Sequence, residues 1–159
     1  MQFHRQAALA ALFAFTTFAA WAQMPSYGPP INLEQAKRAI AAGQAEARKN
    51  SWPMAIAILD TAGNLVAYEK MDDTQTASIQ VAIDKGVSAA IYRRPTKVFE
   101  DIGAQGGAGL RVMSLRNASM VEGGLPIVLN GKVIGAIGVS GAASDQDGIV
   151  AKAGADALK

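Results

Sequence analysis

Cysteine is absent from the 159-residue sequence, and histidine occurs once, as His4. Without cysteine there is no disulfide, no thiolate nucleophile and no Cys-ligated zinc. His4 lies in a segment with the marks of a secretory signal. A short polar start carrying His4 and Arg5 precedes an apolar run from Ala7 to Phe15, and Ala20-Trp21-Ala22 forms an A-x-A cleavage pattern ahead of Gln23. Cleavage there leaves a chain with neither His nor Cys, which also excludes a Ser-His-Asp triad and a His-ligated metal. The apolar run is shorter than the ~20 residues a bilayer span needs, and no stop-transfer segment follows it. The expected location is therefore periplasmic or secreted, with no membrane span after signal cleavage. Carboxylate, hydroxyl, phenol, amine and thioether chemistry remain.

Charge of one sign is lacking as well. Fifteen Lys+Arg stand against 13 Asp+Glu without a basic block, so there is no nucleic-acid footprint. Aromatics make up 6% of the residues. Beyond residue 22 they are Tyr27, Trp52, Tyr68, Tyr92 and Phe99, too few for base-stacking grooves.

The remaining pattern predicts an exposed lead-in over residues 23–31 (three prolines in QMPSYGPP) and one domain over 32–159. Asn32, with Gln35 three residues on, opens a helix that runs to about Asn50. Met54–Leu59 and Leu65–Glu69, joined by a Thr61–Asn64 turn, form a hairpin. A second helix spans about Gln75–Tyr92 and stops at Arg93-Arg94-Pro95, with a short helical turn from Thr96 to Glu100. A strand is expected near Ala118–Val121. Pro126–Leu129 and Lys132–Val139 flank Asn130-Gly131, which supplies the positive φ of a type I′ hairpin. Ser144 with Asp147 opens a last helix. The order α-β-β-α-β-β-β-α implies an α+β fold: an antiparallel sheet of about five strands flanked by helices.

The chemistry is thinly spread. Gly103–Gly109 (GAQGGAG) lacks the GK[ST] ending of a phosphate loop and reads as a flexible loop. Asp72-Asp73, Asp145 and Asp147 fit helix N-termini, where the macrodipole favours carboxylates. Arg93, Arg94 and Lys97 form the densest basic cluster, and Arg111 and Arg116 flank the glycine-rich region. Arginines so placed either clamp carboxylates or face solvent. Lys85 interrupts an apolar helix segment, as a snorkelling surface lysine or as a functional amine.

Pro53–Asp60, Gly63–Asp72, Ala82–Lys85, Arg94-Pro95-Thr96, Gly123–Val128 and Gly135–Gly141 together resemble the GlcG/HbpS haem-binding family, which includes the C-terminal domain of PduO-type proteins. The resemblance covers about residues 32–158. It implies profilin-like topology, homo-oligomers, haem near subunit contacts and, in some relatives, a sensor-protein partner. It also sets the family's hydroxyl-bearing ligand position at Ala118, beside Ser119, and an iron-linked acidic pair at Gln80 and Ile83. Haem would then need an oxygen or sulfur ligand, with Tyr92, Tyr68, Ser119 and Met120 as candidates, or none from this chain. Lys85, Arg93, Arg94 and Arg116 would pair the propionates. The implied function is an exported haem- or tetrapyrrole-binding protein in transport, buffering or sensing. Two alternatives remain: a haem-degrading, isomerase or hydrolase enzyme using Lys85 or a carboxylate, and a haem-free small-ligand sensor.

Overall fold

Local sequence sets most element boundaries. In the computed structural model, which describes residues 24–159, the Asn32 side chain accepts from the Gln35 amide at 2.9 Å and the Gln35 side chain accepts from the Asn32 amide at 3.0 Å. This reciprocal cap, of a kind worth about 1 kcal/mol, starts α1 at Leu33–Lys49. Strands β1 (Ala55–Leu59) and β2 (Leu65–Lys70) pair antiparallel around a turn built on Asp60. Its carboxylate accepts from the Ala62 amide (2.8 Å), the Asn64 amide (2.9 Å) and the Asn64 side chain. Burial pushes the other way, yet these bonds hold the Asp60 carboxyl below its ordinary value. Helices α2 (Ser78–Tyr92) and α3 (Thr96–Ala104) follow. Strands β3 (Gly124–Leu129) and β4 (Lys132–Ser140) turn at Asn130 (φ 50°) and Gly131 (φ 73°), and α4 (Ser144–Asp156) closes the order.

The sheet is antiparallel with strand order β2-β1-β4-β3. Alternation sorts its two faces. Ile56, Ile58, Ile137 and Val139 pack toward α1 and α4, with Ile40 and Val150 in the same core. Ala55, Ala57, Leu59 and Ala136 face α2. Small residues on that second face let α2 ride close to the strands. A Cβ on Gly138 would lie 1.9 Å from the Ala82 carbonyl oxygen, so only glycine permits the approach.

The α+β class and antiparallel sheet stand, but with four strands. The segment expected as a strand near Ala118–Val121 is irregular. It follows Asn117 at φ 61°, and the Ser119 amide donates to the Ser88 hydroxyl at 3.0 Å instead of to a strand neighbour. The glycine-rich stretch, expected as a flexible loop, forms the end of α3 and a 3-10 helix at Gly107–Ser114. The lead-in is tied to β4. The Gly28 amide donates to Val133 O (2.8 Å) and the Ile31 amide to Ile134 O (2.7 Å), and Ile31 is buried. The signal segment expected over residues 1–22 lies outside the described residues. No described helix is long and apolar enough to cross a membrane.

Candidate functional site

Lys85 sits where α2 presses on β4, and its ammonium is enclosed. Nζ lies 2.7 Å from Asp147 Oδ2 and donates to Val139 O at 3.1 Å, with Lys85 1% and Asp147 2% exposed. The other carboxylate oxygen accepts from the Ala142 amide at 3.2 Å. Burial pushes the Asp147 carboxyl above its ordinary value, against the opposing pull of Lys85 and the Ala142 and Gly141 amides. The Gly123-Gly124 bend is moulded over this pair. A Cβ on Gly123 (φ +124°) would approach Nζ to 2.9 Å, and the Gly124 amide donates to Thr96 Oγ1 at 3.0 Å. One ion pair thus joins α2, β4, α4 and the bend.

Two sequence expectations change here. Lys85 is neither a surface lysine nor a partner for a ligand's carboxylates, because its charge is spent inside the protein. For the same reason it is no acid/base for a surface substrate. Asp147 does lie in the first turn of α4, but Ser144 and Asp147 do not form its cap; the Gln146 side chain accepts from the Ala143 amide instead, at 3.2 Å. The one signal that pointed to Asp147 was Lys85 itself, since an ammonium in an apolar stripe needs a buried acid.

One surface groove of ligand size lies between the outer face of α2 and residues 117–121. Two bonds pin that segment: Ser119 N to Ser88 Oγ, and the Tyr92 hydroxyl to Arg116 O at 2.7 Å. The resulting groove, about 430 Å³, has Val81, Val87, Ala118 and Val121 as apolar walls. Asp84, Asn117 and Ser119 supply its polar atoms. Val81 and Val121 are 37% and 46% exposed, and they line the same groove. Sequence reasoning reached Ser119 and missed Val81, Asp84 and Val87, which look like ordinary helix positions until residues 117–121 fold against them.

The other candidates scatter. Arg93, in the left-handed region at the end of α2, lies over the Tyr27 ring at 5.0 Å and donates to Pro25 O at 3.2 Å. Arg94 lies over Phe99 at 5.6 Å and contacts the Met24 sulfur at 3.1 Å. Neither lines the α2 groove, so the expected propionate clamp of Arg93 and Arg94 is not assembled there. Arg116 is exposed beside the groove residue Asn117. Met120 packs on Gly103, where a Cβ would meet its methyl at 2.2 Å. The Tyr92 hydroxyl is committed to Arg116, and its ring packs edge-on to Phe99. The Tyr68 hydroxyl is buried without a partner, and burial pushes its pKa up, which keeps it a phenol. Among the described residues no group of three or more His, Cys, Asp or Glu could hold a metal ion.

Residues 31–156 match the family model described as "Haem degrading protein HbpS-like". Protein GlcG of Escherichia coli K12 is 40% identical over 110 residues, covering 69% of this chain and 81% of GlcG. A crystal structure of a Streptomyces reticuli HbpS double mutant superposes with TM-score 0.75 at 25% identity, covering 98% of this chain and 99% of that one. A PduOC:haem complex shares the fold at TM-score 0.73 and 23% identity, over 82% and 96% of the two chains. With nearly all of its described residues inside the family match, and with the fold shared by these solved structures, this chain belongs to the HbpS-like family.

Proposed function

We propose that this chain is an exported haem- or tetrapyrrole-binding protein that holds the macrocycle reversibly in the groove between α2 and residues 117–121. The observation that carries this reading is the groove itself. Its walls are aliphatic, two of its valines are exposed, and its polar side chains are Asp84, Asn117 and Ser119. Val81, Val87, Ala118 and Val121 fit the face of a flat apolar ring. Arg116, exposed and next in sequence to the groove residue Asn117, would pair a carboxylate of the ligand. Asn117 and Ser119 offer neutral oxygen donors to a central metal, and Ala118 offers none. The two phenols are unsuited: Tyr92 is already hydrogen-bonded, and Tyr68 is buried. Bound haem would supply the redox and ligand-binding chemistry of its iron. The chain's part is to seat the ring, pair its charge and let it go, which suits carrying or sensing. The name of the family model supports haem as the ligand.

The exposed valines also support association of copies through this face, with the ligand between them. Titration of hemin into the purified protein, followed by the Soret band, should saturate at a fixed stoichiometry. Val81→Glu and Val121→Asp, each setting a charge in the apolar wall, should weaken binding about tenfold or more. Arg116→Ala should weaken it by a smaller factor, and light scattering should show an oligomer. Non-saturating binding, or affinity unchanged in both valine variants, would remove haem from this groove. Steady bleaching of the bound band would turn the reading from carrier to haem-degrading enzyme.

Export rests on the Met1–Ala22 pattern. Expressed with its own leader, the protein should be recovered outside the cytoplasm with Gln23 as its first residue. An intact N-terminus in the cytoplasmic fraction would overturn that part.

A further inference from the structure

A second groove, of about 420 Å³, is lined by residues of β3, β4, α4 and the end of α2, and it shares no lining residue with the groove between α2 and residues 117–121. Its floor and walls are Leu125, Val128, Val133 and Ala155. Its rim carries three cationic side chains, Arg93, Lys152 and Lys159, against the single carboxylate of Asp156. Asp156 is contacted by both lysines, and those contacts hold its pKa below the ordinary value. Asp156 therefore neutralises one charge and leaves the rim net positive.

Arg93 is held in place at some cost. Its φ of 51° lies in the left-handed region, where a residue with a Cβ is disfavoured. Its guanidinium is nevertheless fixed by stacking on Tyr27 and by the bond to Pro25 O, and Pro25 is itself a groove residue. Strain retained at a residue that lines a pocket points to a role for that residue. A stacked arginine also loses less conformational freedom on pairing with a carboxylate than a free one would. The free edge of β3 does not invite an added strand, because Pro126 removes an N–H from its middle.

We infer that this second groove binds a small amphipathic carboxylate, a molecule with an apolar body lying on Leu125, Val128, Val133 and Ala155 and an anionic head at Arg93 and Lys152. Apolar walls with a few convergent charged groups are the usual make-up of small-molecule sites of this size.

The probes are octanoate, and octylamine of the same chain length, titrated calorimetrically into the purified protein. Octanoate should bind saturably at one site per chain, and octylamine at least about tenfold more weakly. Lys152→Glu combined with Lys159→Glu changes only exposed side chains (70% and 63%) and should reduce octanoate affinity about tenfold or more. Arg93→Gly should reduce it similarly while the protein stays folded, because glycine accepts φ 51° without strain. Equal binding of octanoate and octylamine, or octanoate affinity unchanged in the double variant, would overturn the inference. A hemin titration at saturating octanoate should match one without it. Displacement with octanoate affinity lost in Val81→Glu would place octanoate in the α2 groove and overturn the assignment, whereas displacement with it lost in the lysine double variant would move haem out of the α2 groove and sink the haem reading. Loss of hemin binding with octanoate binding intact would sink the haem reading alone.

Discussion

Replacement of Lys85 by methionine is expected to cost about 3–5 kcal/mol, because it strands a buried carboxylate without its partner. Lys85 Nζ and Asp147 Oδ2 are 2.7 Å apart, and neither side chain is more than 3% exposed. Asp147 would then retain only the Ala142 and Gly141 amides, and burial already pushes its pKa up with Lys85 present. In Lys85→Met that upward shift must grow, and the carboxyl answers by holding its proton. The folded state then binds a proton that the unfolded chain, titrating near 3.9, has released. Stability should therefore fall as pH rises from the unfolded pKa to the raised folded one, by up to about 1.4 kcal/mol per pH unit inside that window. Urea unfolding at pH 5 and at pH 8 reads this directly: the variant should be less stable at pH 8 than at pH 5, relative to the parent protein at each pH. Adding Asp147→Leu removes the orphaned charge and should recover much of the loss and abolish the extra pH dependence. A small, pH-independent loss in the single variant would show that the pair does not hold α2, β4 and α4 together.

The second large effect belongs to Gly138. Glycine to alanine at a compatible strand position stabilises by about 0.4–1 kcal/mol through the unfolded chain. At Gly138 the sign reverses, because the new methyl would lie 1.9 Å from Ala82 O and 2.4 Å from Gly86 N. Both are main-chain atoms of α2, so no side chain can turn aside and the whole helix must lift. Gly138→Ala should cost about 3 kcal/mol or more, at or beyond the upper end of ordinary overpacking. It should also raise amide exchange along α2. Gly43→Ala is the control, since its methyl would meet the tips of Ile56 and Val150 at 3.0 and 3.5 Å. A helical alanine is worth about 0.8–1 kcal/mol over glycine, so this variant should stay within about 1 kcal/mol of the parent. Equal losses at both positions would show that α2 does not depend on the bare backbone of β4.

These two sites mark where sequence reading stopped. Asn32 with Gln35, and Asn130-Gly131, announced their structures because each partner lies within three residues of the other. The short turns between β1 and β2 and between β3 and β4 gave the antiparallel class for a similar reason: a tight turn can join only strands that run in opposite directions. Ala118–Val121 misled because its short, mostly apolar composition suits a strand. Its pairing was decided elsewhere, by Ser88 on α2 and by the Tyr92 bond to Arg116 O. The tied lead-in was hidden too. Prolines advertise an exposed segment, but the Tyr27 hydroxyl reaches the Ala90 and Ile91 carbonyls at the end of α2.

The candidate site divides along the same line. Composition removed histidine and cysteine from residues 23–159, and with them imidazole and thiolate ligation of iron. The motifs along the chain carried the family. Which residues meet was set by packing across long separations. Lys85 finds Asp147 62 residues away, Val81 and Val87 become groove walls only against Ala118 and Val121, and Arg93 turns away from that groove to lie over Tyr27. Turns, caps and alternation are written in neighbouring residues because their energies act over a few bonds. A buried charge or a groove wall depends on where helices come to rest on the sheet, and that depends on the volumes of all the side chains between them.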